Sequence, residues 1–288
     1  MSTDNINTPD TNLEIRPDVL NYDDLRQMVP FFDGKEKLAN RLLHWLKVDR
    51  VNHTHASFCD TPGPDFVRRM LTEEFKTKLR IDGQDILDHL PEGAFITVSN
   101  HPFGALDGII LIHLIAQHRP KFKVMVNMIL NKISAMRPNF IAVDAWASDD
   151  PKMRQKSIQG IRQALWQLRD GEPVGFFPAG AMSKVDRHLH LQDRPWQPSV
   201  LQIIKRAKVP VIPIFFHGSN SWFFNFLGVV WWQARSLRLP AEVYRKIGKE
   251  IHISVGEPIS VAEQEKFATA EELGAYLRQK TYQLRNLK

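Results

Sequence analysis

The residues best suited to chemistry lie together in NHPFGALDG (100–108). A histidine, His101, ends a short apolar run, a Pro/Gly turn follows it, and Asp107 stands at the head of an apolar stretch. On one continuous helix, six positions turn roughly 600°, which would leave the two side chains on different faces. They meet only if 102–104 bends, and these residue types favour a bend. An aspartate that accepts the imidazole Nδ1–H fixes the tautomer and stabilises the charged ring. Nε2 then becomes a general base for an alcohol. No G-x-S-x-G elbow occurs, which argues against an acyl-serine route. The plainer alternative is a helix N-terminus carrying a structural histidine and an acid favoured by the helix dipole.

Short apolar runs at 94–100, 122–126, 140–145, 173–178 and 210–216 read as buried strands. Helical stretches near 105–118, 152–170 and 198–207 fall between some of them. The alternation predicts an α/β domain over 81–288, with a largely parallel central sheet flanked by helices. Residues 252–259 add a strand and 263–287 a closing helix. Working residues in such sheets gather at the carboxyl ends of strands, here after Ser99, Val143, Phe177 and Phe216. Upstream, Leu38, Leu42, Leu43 and Leu46, then Val67, Leu71, Phe75 and Leu79, recur at helical spacing. They predict an N-terminal helical annex over 19–80. The intervening VNHTHASFCDTPGP (51–64) reads as loop, and 1–18 as a flexible leader.

The 288 residues, 43% hydrophobic, can bury a full core. Their single cysteine, Cys59, excludes an internal disulfide and a multi-cysteine metal site, and points to a reducing compartment. The acidic, polar start does not read as a secretory signal, and no run approaches the roughly 20 apolar residues that span a bilayer. The net charge is +6, but residues 1–35 hold seven acids against three bases, leaving a body near +10. Such a field attracts anionic lipid, nucleic acid or an acidic carrier protein.

With these residues in view, the chain resembles the glycerolipid (lysophospholipid) acyltransferase superfamily, and is most similar to its hemolysin-like branch, which includes amino-acid lipid O-acyltransferases. The superfamily pattern is N-H-x(4)-D; here the spacing is five, in the NHP-x-G-x-x-DG form similar to that branch. FIAVDAW (140–146) resembles the second block, with Asp144 matching and Ala145 in place of an arginine. FFPAGAMSK (176–184) resembles the third, F-P-E-G-T-R-S: Gly180 and Ser183 match, while Ala179 and Met182 stand where Glu and Arg usually sit. VPVIPIFFHGSNS (209–221) resembles the fourth, with Pro213 as its match. The four blocks fall in the family's order over roughly 80–260.

The resemblance implies an O-acyltransferase in which His101 activates an acceptor hydroxyl and Asp107 orients it. It implies substrate-binding positions at Asn100, Phe103, Gly104, Asp144, Gly180, Ser183, Lys184 and Pro213. The donor would be a fatty acyl thioester of acyl carrier protein or coenzyme A, with no cofactor and no metal. The departures in the second and third blocks favour a lyso-amino-acid lipid of the ornithine or glycine type as acceptor, with lysophosphatidic acid next. The expected setting is cytoplasmic, peripheral on the inner membrane face. Main-chain N–H groups near the 102–104 turn, or after Pro178, would hold the oxyanion. A lipid- or carrier-binding module without turnover is the rival reading; nucleic-acid binding has no recognition motif behind it.

Three further features stand outside the blocks. His188 and His190 with Asp186 have no further metal ligand at recognisable spacing, so a metal-free loop is expected. His217 is expected to support the site or merely the fold. The aromatic segment WFFNFLGVVWW (222–232) either dips into a bilayer interface, or caps the core or lines an acyl channel. Basic residues in 119–132 and 235–249 suit anionic lipid or a solvated face equally.

Overall fold

The computed structural model describes residues 15–143, 151–185, 191–230 and 232–286. Among them run strands β1 (Lys78–Asp82), β2 (Ile96–Ser99), β3 (Lys123–Asn127), β4 (Phe140–Val143), β5 (Val174–Phe176), β6 (Lys184–Val185), β7 (Leu191–Gln192), β8 (Val211–Phe216) and β9 (Glu250–Val255). Seven form one sheet in the order β1-β9-β8-β2-β5-β3-β4, and β6 and β7 form a small antiparallel pair. The five strands from β8 to β4 are parallel. β9 runs antiparallel to β8, and β1 runs parallel to β9.

The helices are α1 (Tyr22–Met28), α2 (Glu36–Trp45), α3 (Val48–Phe58), α4 (Pro64–Arg69), α5 (Gln84–Asp88), α6 (Ala105–Ala116), α7 (Pro151–Arg169), α8 (Pro198–Ala207), α9 (Trp222–Val230), α10 (Trp232–Leu237), α11 (Leu239–Tyr244), α12 (Val261–Gln264) and α13 (Ala270–Gln283). Side chains alternate across each strand, so the sheet needs an apolar layer on both faces. One layer joins Phe66, Val67 and Leu71 with α6 and with Ile212, Ile214 and Phe216 of β8. The other joins Ile96, Val98 and Val174 with residues of α7, α8 and α13. Helix α6 is apolar on nearly every side and correspondingly buried, as expected of a helix enclosed between layers. Local signals end the helices where they stop: Pro198 opens α8 and a left-handed Lys208 closes it, while Thr269 and Glu272 form a capping box on α13.

The sheet and the flanking helices follow the sequence reading, with differences that have physical reasons. Residues 51–58 are helical, not loop, because α3 buries polar Thr54 and His55 as well as Val48 and Phe58. Thr54 Oγ1 meets the Tyr244 hydroxyl at 2.7 Å. His55 bridges the Pro17 carbonyl (2.8 Å) and the Ala135 N–H (3.2 Å). Buried polar residues with satisfied partners leave no apolar periodicity to read. The helical run through Val67 and Leu71 ends in a π-type turn at Met70–Glu74, and Leu79 belongs to β1. The sheet thus begins inside the annex range. The annex helices α1 and α2 keep a small core of their own around Leu25, Ala39, Leu43 and Leu46.

Candidate active site

Strand β2 ends at Ser99, and the chain enters the turn that precedes α6. Gly104 takes φ +78°, a conformation open mainly to glycine. A Cβ there would lie 2.6 Å from Met182 Sδ and 2.8 Å from Leu239 Cδ1. The bend returns Asp107, in the first turn of α6, to His101: Nδ1 and Oδ2 are 3.0 Å apart, with the ring N–H poorly aligned to that oxygen. The same Oδ2 accepts the N–H groups of Phe103 and Gly104, each at 2.9 Å. Asp107 is fully buried, whereas the His101 side chain keeps 18% exposure. Burial raises the Asp107 pKa above the ordinary carboxyl value, against the pull of His101 and the two N–H groups. The His101 ring stacks on Phe177 at 4.2 Å between centroids. An imidazole with one nitrogen facing a pinned carboxyl and the other edge partly open is suited to taking a proton at Nε2.

The two N–H groups in the turn are committed to Asp107, and that of Gly180 to the Phe177 carbonyl at 2.9 Å. Of the two places expected to hold an oxyanion, the 102–104 turn thus has its Phe103 and Gly104 donors already engaged, while the stretch after Pro178 stays the other expected place.

The loop after β5 closes over the pair. Ser183 N–H donates to the His101 carbonyl at 2.9 Å, and Ser183 Oγ donates to Asp193 Oδ1 at 2.5 Å. The His101 N–H donates to the same Asp193 oxygen at 3.2 Å. Asp193 is nearly buried, which raises its pKa, and its main chain is held by the Tyr282 hydroxyl and Arg278. Arg235 of α10 donates to the carbonyls of Ser183 (3.0 Å) and Met182 (3.3 Å). Asp193 escaped the sequence reading, and Arg235 entered it only among the basic residues of 235–249. Neither lies in a recognisable pattern, and their burial against this segment is a tertiary fact.

The structure brings His101, Phe103, Gly104, Asp107 and Ser183 together. Gly180 turns with φ +65°, and a Cβ there would stand 1.9 Å from Gln197 Nε2. Asn100 brackets β8 through both atoms of its amide, giving to the Phe216 carbonyl (2.9 Å) and taking from its N–H (2.7 Å). Lys184 lies exposed on β6. Pro213 is buried inside β8 opposite Val98, 2.9 Å from where a Cβ of Gly256 would stand, so it lies within the sheet rather than at its rim. Asp144, like His188, His190 and Asp186, lies outside the described residues. His217 turns to the sheet edge: its Nε2 meets Ser254 Oγ at 2.8 Å and its ring stacks on His252 at 3.9 Å. Asp82, His217 and His252 have the donor types of a metal site, their ligand atoms within 4.8 Å of one another; His252 Nε2 meets Asp82 Oδ2 directly at 2.6 Å, and Ser254 Oγ joins Asp82 to His217. In the aromatic segment, Phe224 is buried while Trp222, Phe223 and Phe226 are exposed by 76%, 49% and 49%. Trp231 falls outside the described residues.

A family model described as acyltransferase matches residues 21–288, and the chain belongs to that acyltransferase family. It is an acyltransferase enzyme. It is similar to the lyso-glycine lipid O-acyltransferase of Bacteroides thetaiotaomicron, 27% identical over 82% of this chain and 85% of that protein. It is also similar to the lyso-glycine lipid O-acyltransferase of Phocaeicola vulgatus, 24% identical over 86% and 87%. The fold is similar to that of the 1-acyl-sn-glycerophosphate (LPA) acyltransferase PlsC of Thermotoga maritima. That match has a TM-score of 0.52 and 16% identity, covering 92% of each chain.

Proposed function

We propose that this enzyme moves a fatty acyl group from a thioester of acyl carrier protein or coenzyme A onto the hydroxyl of a lyso-amino-acid lipid of the glycine or ornithine type. The observation that carries the reading is the His101–Asp107 pair, 3.0 Å apart, with its carboxyl sealed from water and fixed by two main-chain donors. The names of the two bacterial relatives support the acceptor class. His101 Nε2 takes the hydroxyl proton as the oxygen bonds to the thioester carbonyl carbon. Collapse of the tetrahedral intermediate breaks the C–S bond, and the imidazolium returns its proton to the departing thiolate. Ester and free thiol are the products, and nothing is oxidised or reduced. Asp107 holds the Nδ1–H tautomer and offsets the charge that appears on the ring.

A lipid acceptor suits a reaction at a membrane surface. No helix among the described residues is long and apolar enough to cross a bilayer. Trp222, Phe223 and Phe226 project from α9, and Arg238 lies 5.4 Å from the Phe223 ring and 5.8 Å from that of Trp45. Exposed aromatics beside cationic side chains suit the headgroup level of an anionic bilayer.

The test is thiol release from both donor types against lyso-glycine lipid, lyso-ornithine lipid and lysophosphatidic acid, with His101→Ala beside the parent. Acceptor-dependent release on an amino-acid lipid is expected, lowered on the order of 10²–10⁴-fold in the variant. Release on lysophosphatidic acid alone would refute the acceptor class. An undiminished rate in His101→Ala would refute the base.

A further inference from the structure

Arg235 is 5% exposed, and no carboxylate among the described residues lies within ion-pair distance of it. A guanidinium carries five N–H donors. Here two serve the carbonyls of Met182 and Ser183, while Nε–H is buried without an acceptor among the described residues. Burial lowers the Arg235 pKa, and the nearby charge that acts on it, Arg194, is of the same sign. A buried cation is costly unless an anion faces it, and the described residues supply none here.

The surroundings are built to keep the group there. Gly228 of α9 lets the helix pass over the side chain, since a Cβ would come within 2.5 Å of Arg235 Cδ, and Phe224 lies under the guanidinium at 5.5 Å. The two carbonyls it grips belong to the segment that holds His101 through Ser183 N–H. Met182 stands where the resembled pattern usually has an arginine, and α10 delivers a guanidinium to the carbonyl of that residue from 53 positions along the chain.

We infer that Arg235 is the specificity-determining residue that receives the free carboxylate of the acceptor's amino-acid headgroup. The assignment rests on the acceptor class proposed above. One guanidinium with Nε–H uncommitted matches one planar, singly charged carboxylate, which takes two parallel N–H bonds. A phosphate of the donor carries more charge than one such group balances.

The test compares two acceptors on the parent enzyme: N-(3-hydroxyacyl)glycine and its glycinamide, which keeps the hydroxyl and the acyl chain but lacks the acid. The amide is expected to have a kcat/KM lower on the order of 30-fold, expressed mainly in KM. In Arg235→Gln the ratio of acid to amide kcat/KM should fall from about 30 to near one, and the donor KM should hold. Equal use of acid and amide by the parent overturns the Arg235 assignment alone. So does a variant in which both acceptors fall together, which marks a structural role. A raised donor KM with the acid preference intact also overturns it, by assigning the guanidinium to a donor phosphate. Transfer to neither acceptor refutes the acceptor class and this inference with it. If Arg235→Gln does not fold, as read by its melting curve, the parent's comparison of acid with amide decides.

Discussion

Asp107→Asn separates the chemistry of the site from its architecture. The amide is nearly isosteric with the carboxyl, and its oxygen can still accept the N–H groups of Phe103 and Gly104, so the turn has what it needs. The negative charge facing the imidazole is lost. With charge centres about 4 Å apart and an effective dielectric near 20, that charge stabilises the imidazolium by ~4 kcal/mol. A loss of that size lowers kcat by about 10³-fold. Stability should move the other way. Burial raises the Asp107 pKa, so the folded state holds its proton more tightly than the unfolded chain does. Its contribution is present at acid pH and is lost as pH rises through the raised folded value, so the ionised carboxyl is a liability at neutral pH that the amide removes. Thiol-release kinetics beside thermal melts at pH 7.5 read both effects. A kcat within tenfold of the parent would refute the electrostatic role. A Tm lowered by several degrees would show that the carboxylate serves the fold instead.

Gly104→Ala combines a positive φ with a Cβ 2.6 Å from Met182 Sδ, so about 2 kcal/mol of stability or more should go, seen as a Tm fall of about 5 °C; an unchanged melt would contradict the tight turn. Burial lowers the His55 pKa from 6.5, and as pH drops below that value the unfolded chain binds a proton that the native state resists. Stability is therefore complete above pH 6.5 and declines on acidification by up to about 1.4 kcal/mol per pH unit, a slope that His55→Gln should flatten in urea titrations between pH 7.5 and 5.5. Replacing exposed Trp222, Phe223 and Phe226 together by alanine should cut flotation with anionic vesicles about tenfold or more while leaving the melt alone; equal flotation would remove α9 from the membrane surface.

What was legible in the chain follows from where its free energy lies. The buried parallel strands advertise themselves as continuous apolar runs, and α6, α7 and α8 lie close to where periodicity predicts them. The His101–Asp107 pair was readable because both members sit within seven residues and a Pro/Gly bend is a local signal. Helix α3 was hidden because Thr54 and His55 occupy its buried face and find their partners on Tyr244, Pro17 and Ala135, which no local window contains. Strand β1 was hidden for a related reason. Its burial pattern is mixed, and its place in the sheet depends on β9, more than 160 residues later. Asn100 illustrates the opposite limit: its position was evident, but its amide proves to be engaged with Phe216.

The third block makes the deeper point about reading charge from a pattern. Ala179 and Met182 remove an acid and a base from that segment, which by itself suggests a site that has lost its polar equipment. Yet an acid and a base stand against the same segment in space: Asp193, arriving after β7, takes the Ser183 hydroxyl and the His101 N–H, and Arg235, arriving on α10, grips the carbonyls of Met182 and Ser183. Electrostatic work depends on where a charged atom lies relative to the reacting centre, and the chain offers many routes to one location. Relocation also changes what the charge can do. A guanidinium whose two terminal nitrogens are fixed on main-chain carbonyls is held in one orientation, so it selects by geometry as well as by sign. A site of this kind can exchange one anionic headgroup for another without disturbing the histidine that performs the transfer.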